Sequence, residues 1–244
     1  MTIKKIAIIA SLLITSSCLC CGAQAAQLGT YVGGGIGYSK RDFNQATLDG
    51  ARDDILGQLA YTTLEQGPTS TEDTGVGYWA TLGYRATARW AFEGSYANLS
   101  SLKYKSTATQ GYSTVVDFSQ QPHPLKDIPG PSTLKFDIED NALQVDALFI
   151  IPRGYRWEFY GRGGFVFGSI KSELRADTPG GSPKGEASDS YSSYHAGIGF
   201  TYSLLEVYGL RFEYNHAFSL GTSRNPLTAK HDVDSLTLGV IVAF

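Results

Sequence analysis

The chain has 244 residues, with 28 glycines, 15 tyrosines and 12 phenylalanines against a single methionine, and a formal net charge of −3. An acidic chain without a basic stripe lacks the electrostatic footprint of a nucleic-acid binder. All 3 cysteines (Cys18, Cys20, Cys21) lie near the start, so the rest of the chain can hold no disulfide framework, thiolate metal site or cysteine nucleophile.

The start reads as an export signal. Lys4 and Lys5 form a positive region, Ile6 to Ile14 is apolar, and Ala23-Gln24-Ala25 is a small-residue cleavage site. The apolar part is too short to span a bilayer as a helix. Residues 1–25 are therefore expected to be a cleaved signal, with residues 26–244 as the mature domain. Losing Lys4 and Lys5 leaves 18 basic against 23 acidic residues, a net charge of −5. Thr15-Ser16-Ser17 before Cys18, and Cys18-Leu19-Cys20 before Cys21, are poor matches to a lipidation signal.

Eight later segments alternate apolar and polar residues with a period of two: Leu28–Ser39, Gly75–Arg85, Arg89–Leu99, Ala142–Ile151, Tyr155–Ile170, Tyr191–Ser203, Val207–Leu220 and Asp232–Phe244. Runs of about ten such residues between turn signals mark the strands of a transmembrane barrel. The connections at Ala86–Ala88, Pro152–Gly154 and Leu204–Glu206 are short. Those at Lys40–Thr74, Ser100–Asn141, Lys171–Ser190 and Gly221–His231 are long and polar. This alternation fits tight periplasmic turns and larger external loops. The predicted fold is all-β: an eight-stranded antiparallel up-and-down transmembrane barrel, with a short helix in its first external loop.

Side-chain parity sorts each strand into two faces. Leu236, Leu238, Val240, Val242 and Phe244 share a lipid-facing side, as do Trp90, Phe92 and Tyr96, then Phe159, Phe165 and Phe167. Tyr84, Trp90, Trp157, Tyr202, Tyr208 and Phe244 are the outward residues nearest the short turns, and all are aromatic. They are expected to form the periplasmic interfacial girdle. Tyr38, Tyr78, Tyr96, Phe167, Tyr194 and Phe218 form a looser outer one. The inward side is rich in glycine (Gly33, Gly35, Gly37, Gly83, Gly197, Gly199). A barrel of this size is filled by its own side chains.

With Tyr31-Val32-Gly33-Gly34-Gly35-Ile36-Gly37-Tyr38, Gly77-Tyr78-Trp79-Ala80-Thr81-Leu82-Gly83-Tyr84, Trp90-Ala91-Phe92-Glu93-Gly94-Ser95-Tyr96 and Val240-Ile241-Val242-Ala243-Phe244, the chain resembles the OmpA-type and opacity-type eight-stranded outer-membrane proteins. The resemblance implies a porin-like, Gram-negative cell-surface protein located in the cell outer membrane. It implies that Phe244, Val242 and Val240 act as the signal for the outer-membrane assembly machinery. The sequence stops at the last predicted strand, so no periplasmic peptidoglycan-binding domain is expected.

Arg85, Glu93, Asp146, Arg156, Glu158, Arg162, Arg211 and Glu213 have inward parity. Glu93, Asp146, Arg162, Arg211 and Glu213 are expected near mid-depth as a lumen charge network, each Arg paired with one or more of the acids. An unpaired buried charge would be costly. The network reads first as a plug, second as an electrostatic gate. No catalytic, cofactor-binding or metal-ligating set is expected. His216-Ala217-Phe218 and His195-Ala196-Gly197 lack the serine of a His-x-Ser lipid A deacylase motif, and no G-x-S-x-G elbow occurs. His123 and His231 fall in predicted loops, and His216 faces outward near the upper edge.

In the first loop Leu48, Ala51, Ile55 and Leu59 recur at helical spacing, with Asp42 or Asn44 as a cap and Gly67-Pro68 as the stop. Pro122, Pro124, Pro129 and Pro131 make the second loop read as irregular, and Pro179-Gly180-Gly181-Ser182-Pro183 reads as a flexible tip. The expected function is a non-enzymatic barrel scaffold displaying four external loops for adhesion, host or envelope contacts. The alternatives are a small gated channel for ions or solutes, then a lipid-modifying barrel enzyme. Expected partners are outer-membrane lipid and lipopolysaccharide, the assembly machinery and an extracellular ligand of the loops. No nucleic acid is expected, and the barrel should be a monomer. Intact-mass measurement of membrane-extracted protein should give a chain beginning at Ala26; a mass retaining Cys18–Cys21 would contradict the cleavage site.

Overall fold

A computed structural model describes residues 28–42, 45–117, 119, 124–222 and 230–244. The signal segment with Ala23 and Ala25, Asn44 and His123 lie outside the described residues. The elements run β1 (Gly29–Asp42), α1 (Gln45–Gln58), β2 (Tyr61–Glu72), β3 (Thr74–Arg85), β4 (Trp90–Val116), β5 (Leu125–Pro129), β6 (Ser132–Arg153), β7 (Trp157–Asp177), β8 (Lys184–Ser203), β9 (Tyr208–Leu220) and β10 (His231–Ala243).

Eight of these strands form a closed antiparallel ring in the order β1-β3-β4-β6-β7-β8-β9-β10 and back to β1. The seam runs in register from Tyr31 opposite Ala243 to Asp42 opposite Asp232. Closure is required because no water in hydrocarbon can satisfy an unpaired backbone group. At one end the strands join through residues 86–89, 154–156 and 204–207. Gly154 takes a left-handed φ of 72° in the middle turn, where a Cβ would be strained. β6 carries Pro152 and Arg153 within the strand, so that turn starts two residues later than its sequence suggests.

The ring is only the lower half of the sheet. The connections read as long polar loops are mostly strand. β4 and β6 run on past the membrane and pair from Ser101 opposite Glu139 to Ala108 opposite Ser132. β7 and β8 pair out to Arg175 opposite Lys184. The supposed flexible tip is a turn between Thr178 and Gly181, which exchange backbone hydrogen bonds of 2.9 and 3.0 Å. Gly67-Pro68 does not end the helical stretch but lies inside β2, which pairs with the outer part of β4. Asp42 is the last residue of β1 rather than a helix cap, and His231 is a buried residue of β10 rather than a loop residue. β2, β4, β6, β7 and β8 thus form an open five-stranded sheet above the barrel, and β5 adds to the end of β4.

The two faces of the sheet exchange character on the way up. On β6 the outward residues pass from Leu143, Val145 and Phe149 below to Glu139, Asp137 and Lys135 above. Inward residues change from Gln144 and Asp146 to Ile138, Phe136 and Leu134, the last three at most 1% exposed. Lipid rewards an apolar exterior, and water rewards an apolar interior. On β4 a register shift between Asn98 and Ser101 assists the change. Ser100, with φ of 72°, moves the inward parity from Glu93, Ser95 and Ala97 to Leu102, Tyr104 and Ser106.

Above the ring, Leu102, Tyr104, Leu134, Phe136, Ile138, Val166 and Ile170 form a hydrophobic core with Leu48 and Ala51 of α1, and Ile55 and Leu59 pack against its edge. The helical spacing in the first loop therefore seats α1 over the barrel mouth. The Tyr104 hydroxyl donates to Asp49 Oδ1 at 2.5 Å. Burial first, and this bond, push its titration up to about 12. A closed ring should migrate differently in gel electrophoresis before and after boiling, because it has no fraying edge. Phe136→Ala should cost about 3–5 kcal/mol in the upper core. Protease should then cut the outer sheet faster while the boiling-dependent band shift persists.

Candidate functional site

The lumen is built by parity. β4 delivers Glu93, β6 Asp146, β7 Tyr160 and Arg162, β8 His195, β9 Arg211, Glu213 and Asn215, and β1 Tyr31. All are less than 10% exposed. Glycines on neighbouring strands make the room. A Cβ on Gly83 would run into the Tyr31 ring, one on Gly199 into the Tyr160 hydroxyl, and one on Gly239 into the Trp79 ring.

The five charged residues expected at mid-depth meet. Arg162 Nη1 donates to Glu213 Oε1 at 2.6 Å, and its Nη2 bonds Asp146 and lies 3.7 Å from Glu93 Oε2. Arg211 Nη1 donates to Glu93 Oε1 at 2.6 Å, and Glu93 is its one carboxylate partner among the described residues. Tyrosine hydroxyls add to two of the acids. Tyr31 donates to Glu93 Oε1 at 2.6 Å, and Tyr160 donates to Glu213 Oε2 at 2.7 Å. Asn215 donates to Glu213, and His195 Nε2 bonds Asp146. The Arg211 guanidinium also sits over the Tyr160 and Tyr31 rings, at 5.0 and 5.7 Å. Paired, hydrogen-bonded charge of this kind is tolerable in a dry interior.

The remaining inward charges separate. Arg85 holds Glu158 with two bonds of 2.9 Å at the end that carries the short turns. Arg156 is not in the lumen: it lies in an exposed turn, 3.2 Å from the Tyr202 hydroxyl. Its place on the turn, not strand parity, sets its direction. A second polar layer lies above the aromatic rim. Arg41 Nη2 donates to Ser100 O at 2.6 Å, Nη1 lies 3.8 Å from Asp140 Oδ2, and Tyr191 donates to Asp140 Oδ1 at 2.7 Å. Burial lowers the Arg41 pKa and raises that of Asp140 from their ordinary ranges, and their mutual attraction opposes both shifts.

Parity alone turns Tyr160 inward, but the sequence does not place His195, Tyr31, Trp79, Arg41 or Asp140 in the lumen network. His195 shares its parity with Gly197 and Gly199, and Tyr31 with Gly33 and Gly35, so the signal was present. At the lipid face, the Trp157 and Tyr202 rings lie 4.7 Å apart, and the Trp90 and Phe149 rings 5.2 Å apart. Tyr84 and Phe244 are exposed, Tyr208 and Val242 half-buried, and Val240 exposed on the same outer side. Phe244 N donates to Thr30 O at 3.0 Å, so the last residue is tied to β1. His216, half-buried at the upper edge, lies 2.8 Å from Asp234 through Nδ1.

Among the described residues, small cavities lie above and below the charge network. One of about 40 Å³ lies above the charge network, beside Gln144, Arg162 and Asn215. The other, of about 100 Å³, lies below it beside Tyr31, Tyr160 and Arg211 and opens at the turn of residues 204–207. Each has room for only a few water molecules. Among the described residues no group of three or more His, Cys, Asp or Glu side chains could hold a metal ion.

Among solved structures the chain is similar to Neisserial surface protein A, with 12% identity, coverage of 91% of this chain and 100% of that one, and a TM-score of 0.47. It is similar to the attachment invasion locus protein Ail of Yersinia pestis at 15% identity, over 89% and 100% of the two chains, with a TM-score of 0.41. For the outer membrane protein OprG from Pseudomonas aeruginosa the values are 11%, 91%, 99% and 0.45. No curated protein sequence matches. The family model described as the outer membrane protein beta-barrel domain matches residues 10–244, and the chain belongs to that family.

Proposed function

We propose that the protein is a non-enzymatic outer-membrane surface scaffold, a closed barrel that holds a folded sheet outside the cell and does not conduct. The observation that carries this reading is the double closure of the lumen. Below, the Arg162–Glu213–Asp146 cluster crosses the bore. Above it, an apolar core roofed by α1 covers the mouth, with Leu48, Leu102 and Phe136 fully buried. An ion crossing that core would lose its hydration among side chains that are mostly apolar. Enzymatic turnover needs a cleft with convergent reactive groups, and neither small lumen cavity offers one. The same closure leaves the outer sheet as the surface available for contacts.

Planar-bilayer recording of the wild-type barrel should show no ion steps. Arg162→Ala should lower unfolding resistance by about 3–5 kcal/mol, because it leaves buried carboxylates without their cation. Phe165→Ala, on the lipid side, should leave the network intact. Because the apolar roof stays in place, Arg162→Ala should still pass no current. Wild-type conductance would make the barrel a channel, and conductance appearing only in Arg162→Ala would make the network its gate. Turnover of purified lipid A would make it an enzyme.

A further inference from the structure

The outward face of the upper sheet carries one row that its own packing does not explain. Lys105 of β4 is opposite Lys135 of β6, Lys135 is opposite Arg175 of β7, and Arg175 is opposite Lys184 of β8. All four are exposed. Adjacent strands are about 4.8 Å apart, so four cations fall within roughly 15 Å on a rigid support. Like charges directly opposite across strands are destabilising. Of these four, only Arg175 has an ion-pair partner among the described residues, Glu173 at 3.4 Å, with both side chains more than half exposed. Such a pair contributes little. The row towards the membrane is different: Lys103, Asp137, Glu173 and Glu186 alternate towards acid. The cationic row is thus a distinct band.

The band borders a hollow. A depression of about 220 Å³ lies among Lys135, Arg175, Lys184, Ser182 and Asp177. Asp177 is its one acid, and Thr107 and Thr133 continue the row beyond it. No aromatic or large apolar side chain lines it. Stacking platforms for nucleic-acid bases need aromatics, and protein-binding hot spots need buried Trp, Tyr or Arg anchors. What fits a band of point cations flanked by hydroxyls is a hydroxyl-rich polymer with regularly spaced oxyanions.

We propose that Lys105, Lys135, Arg175 and Lys184 form a binding site for an anionic glycan, sulfated or phosphorylated, lying across the strands. The acidic row beneath keeps the chain on the band and away from the membrane side. The proposal rests on the reading of the upper sheet as an exposed display surface, which the conductance measurement tests separately. Two sources share the chemistry: the phosphorylated core of lipopolysaccharide on the same cell, and a sulfated glycosaminoglycan on another surface.

The test uses the full-length barrel in detergent, with heparin, phosphorylated-core lipopolysaccharide, neutral dextran and single-stranded oligothymidylate as probes. The wild type should bind one or both anionic glycans in a salt-sensitive manner and should not bind dextran. Lys135→Ser with Arg175→Ser should weaken that binding roughly tenfold, two exposed ion pairs' worth. Lys103→Ser with Lys171→Ser, nearer the membrane, should change it little. An effect on lipopolysaccharide alone assigns the same-cell source, and one on heparin alone the foreign surface. The boiling-dependent band shift checks that each variant is folded. Absence of glycan binding, equal loss in both double variants, or tighter binding of oligothymidylate than of either glycan would overturn the site.

Discussion

Everything in this structure follows from the requirement that each backbone N–H and C=O at membrane depth be satisfied within the chain. The seam between β1 and β10 meets it by pairing residues at opposite ends of the sequence, Tyr31 with Ala243 and Val32 with Val242. Once the ring is closed, its bore is too narrow to be left empty and too dry to hold lone charges. Large inward side chains must then face small ones, which is why Tyr31 lies against Gly83 and Tyr160 against Gly199. Charged groups must meet partners from distant strands, as Arg211 meets Glu93.

Above the membrane the same strands obey the opposite solvent. β6 keeps one inward face over its whole length, yet that face is apolar at Leu134, Phe136 and Ile138 and polar at Gln144 and Asp146. A single strand therefore serves two cores of contrary polarity. β4 makes the transition with an irregularity at Ser100, consistent with the tendency of bulges to re-aim side chains. Arg41, whose guanidinium bonds the Ser100 carbonyl, sits at this junction and ties β1 to it.

The barrel was legible because its signal is strong: period two, long apolar-aromatic runs and short turns. The lumen residues were legible to the extent that parity alone decides them, so Glu93, Asp146, Arg162, Arg211 and Glu213 were placed together. Which acid each arginine takes is not legible, because register between β4 and β9 is a tertiary fact. Leu102-Lys103-Tyr104-Lys105 and Leu134-Lys135-Phe136-Asp137-Ile138-Glu139 also alternate with period two. Their charge content nevertheless reads as a loop when lipid is taken to be outside. Pro129 and Pro131 also point to a loop, yet they fall at the boundary between β5 and β6. α1 was found because its apolar spacing does not depend on which solvent surrounds the sheet. Its end was misplaced because Gly67-Pro68 is tolerated in β2, at an edge of the outer sheet with several register shifts.

The exchange of faces also constrains how the molecule can be put into a membrane. Lys135, Asp137, Glu139, Lys171, Glu173 and Arg175 occupy outward positions on a paired β6–β7 hairpin. Pushed through a bilayer as a finished sheet, that hairpin would drag six charges through hydrocarbon on its outer face, where ionised side chains are expensive. The upper segments must instead traverse a sheltered, hydrated path before their apolar sides can find Leu48 and Ala51. Translocation thus precedes compaction of the outer layer over the bore.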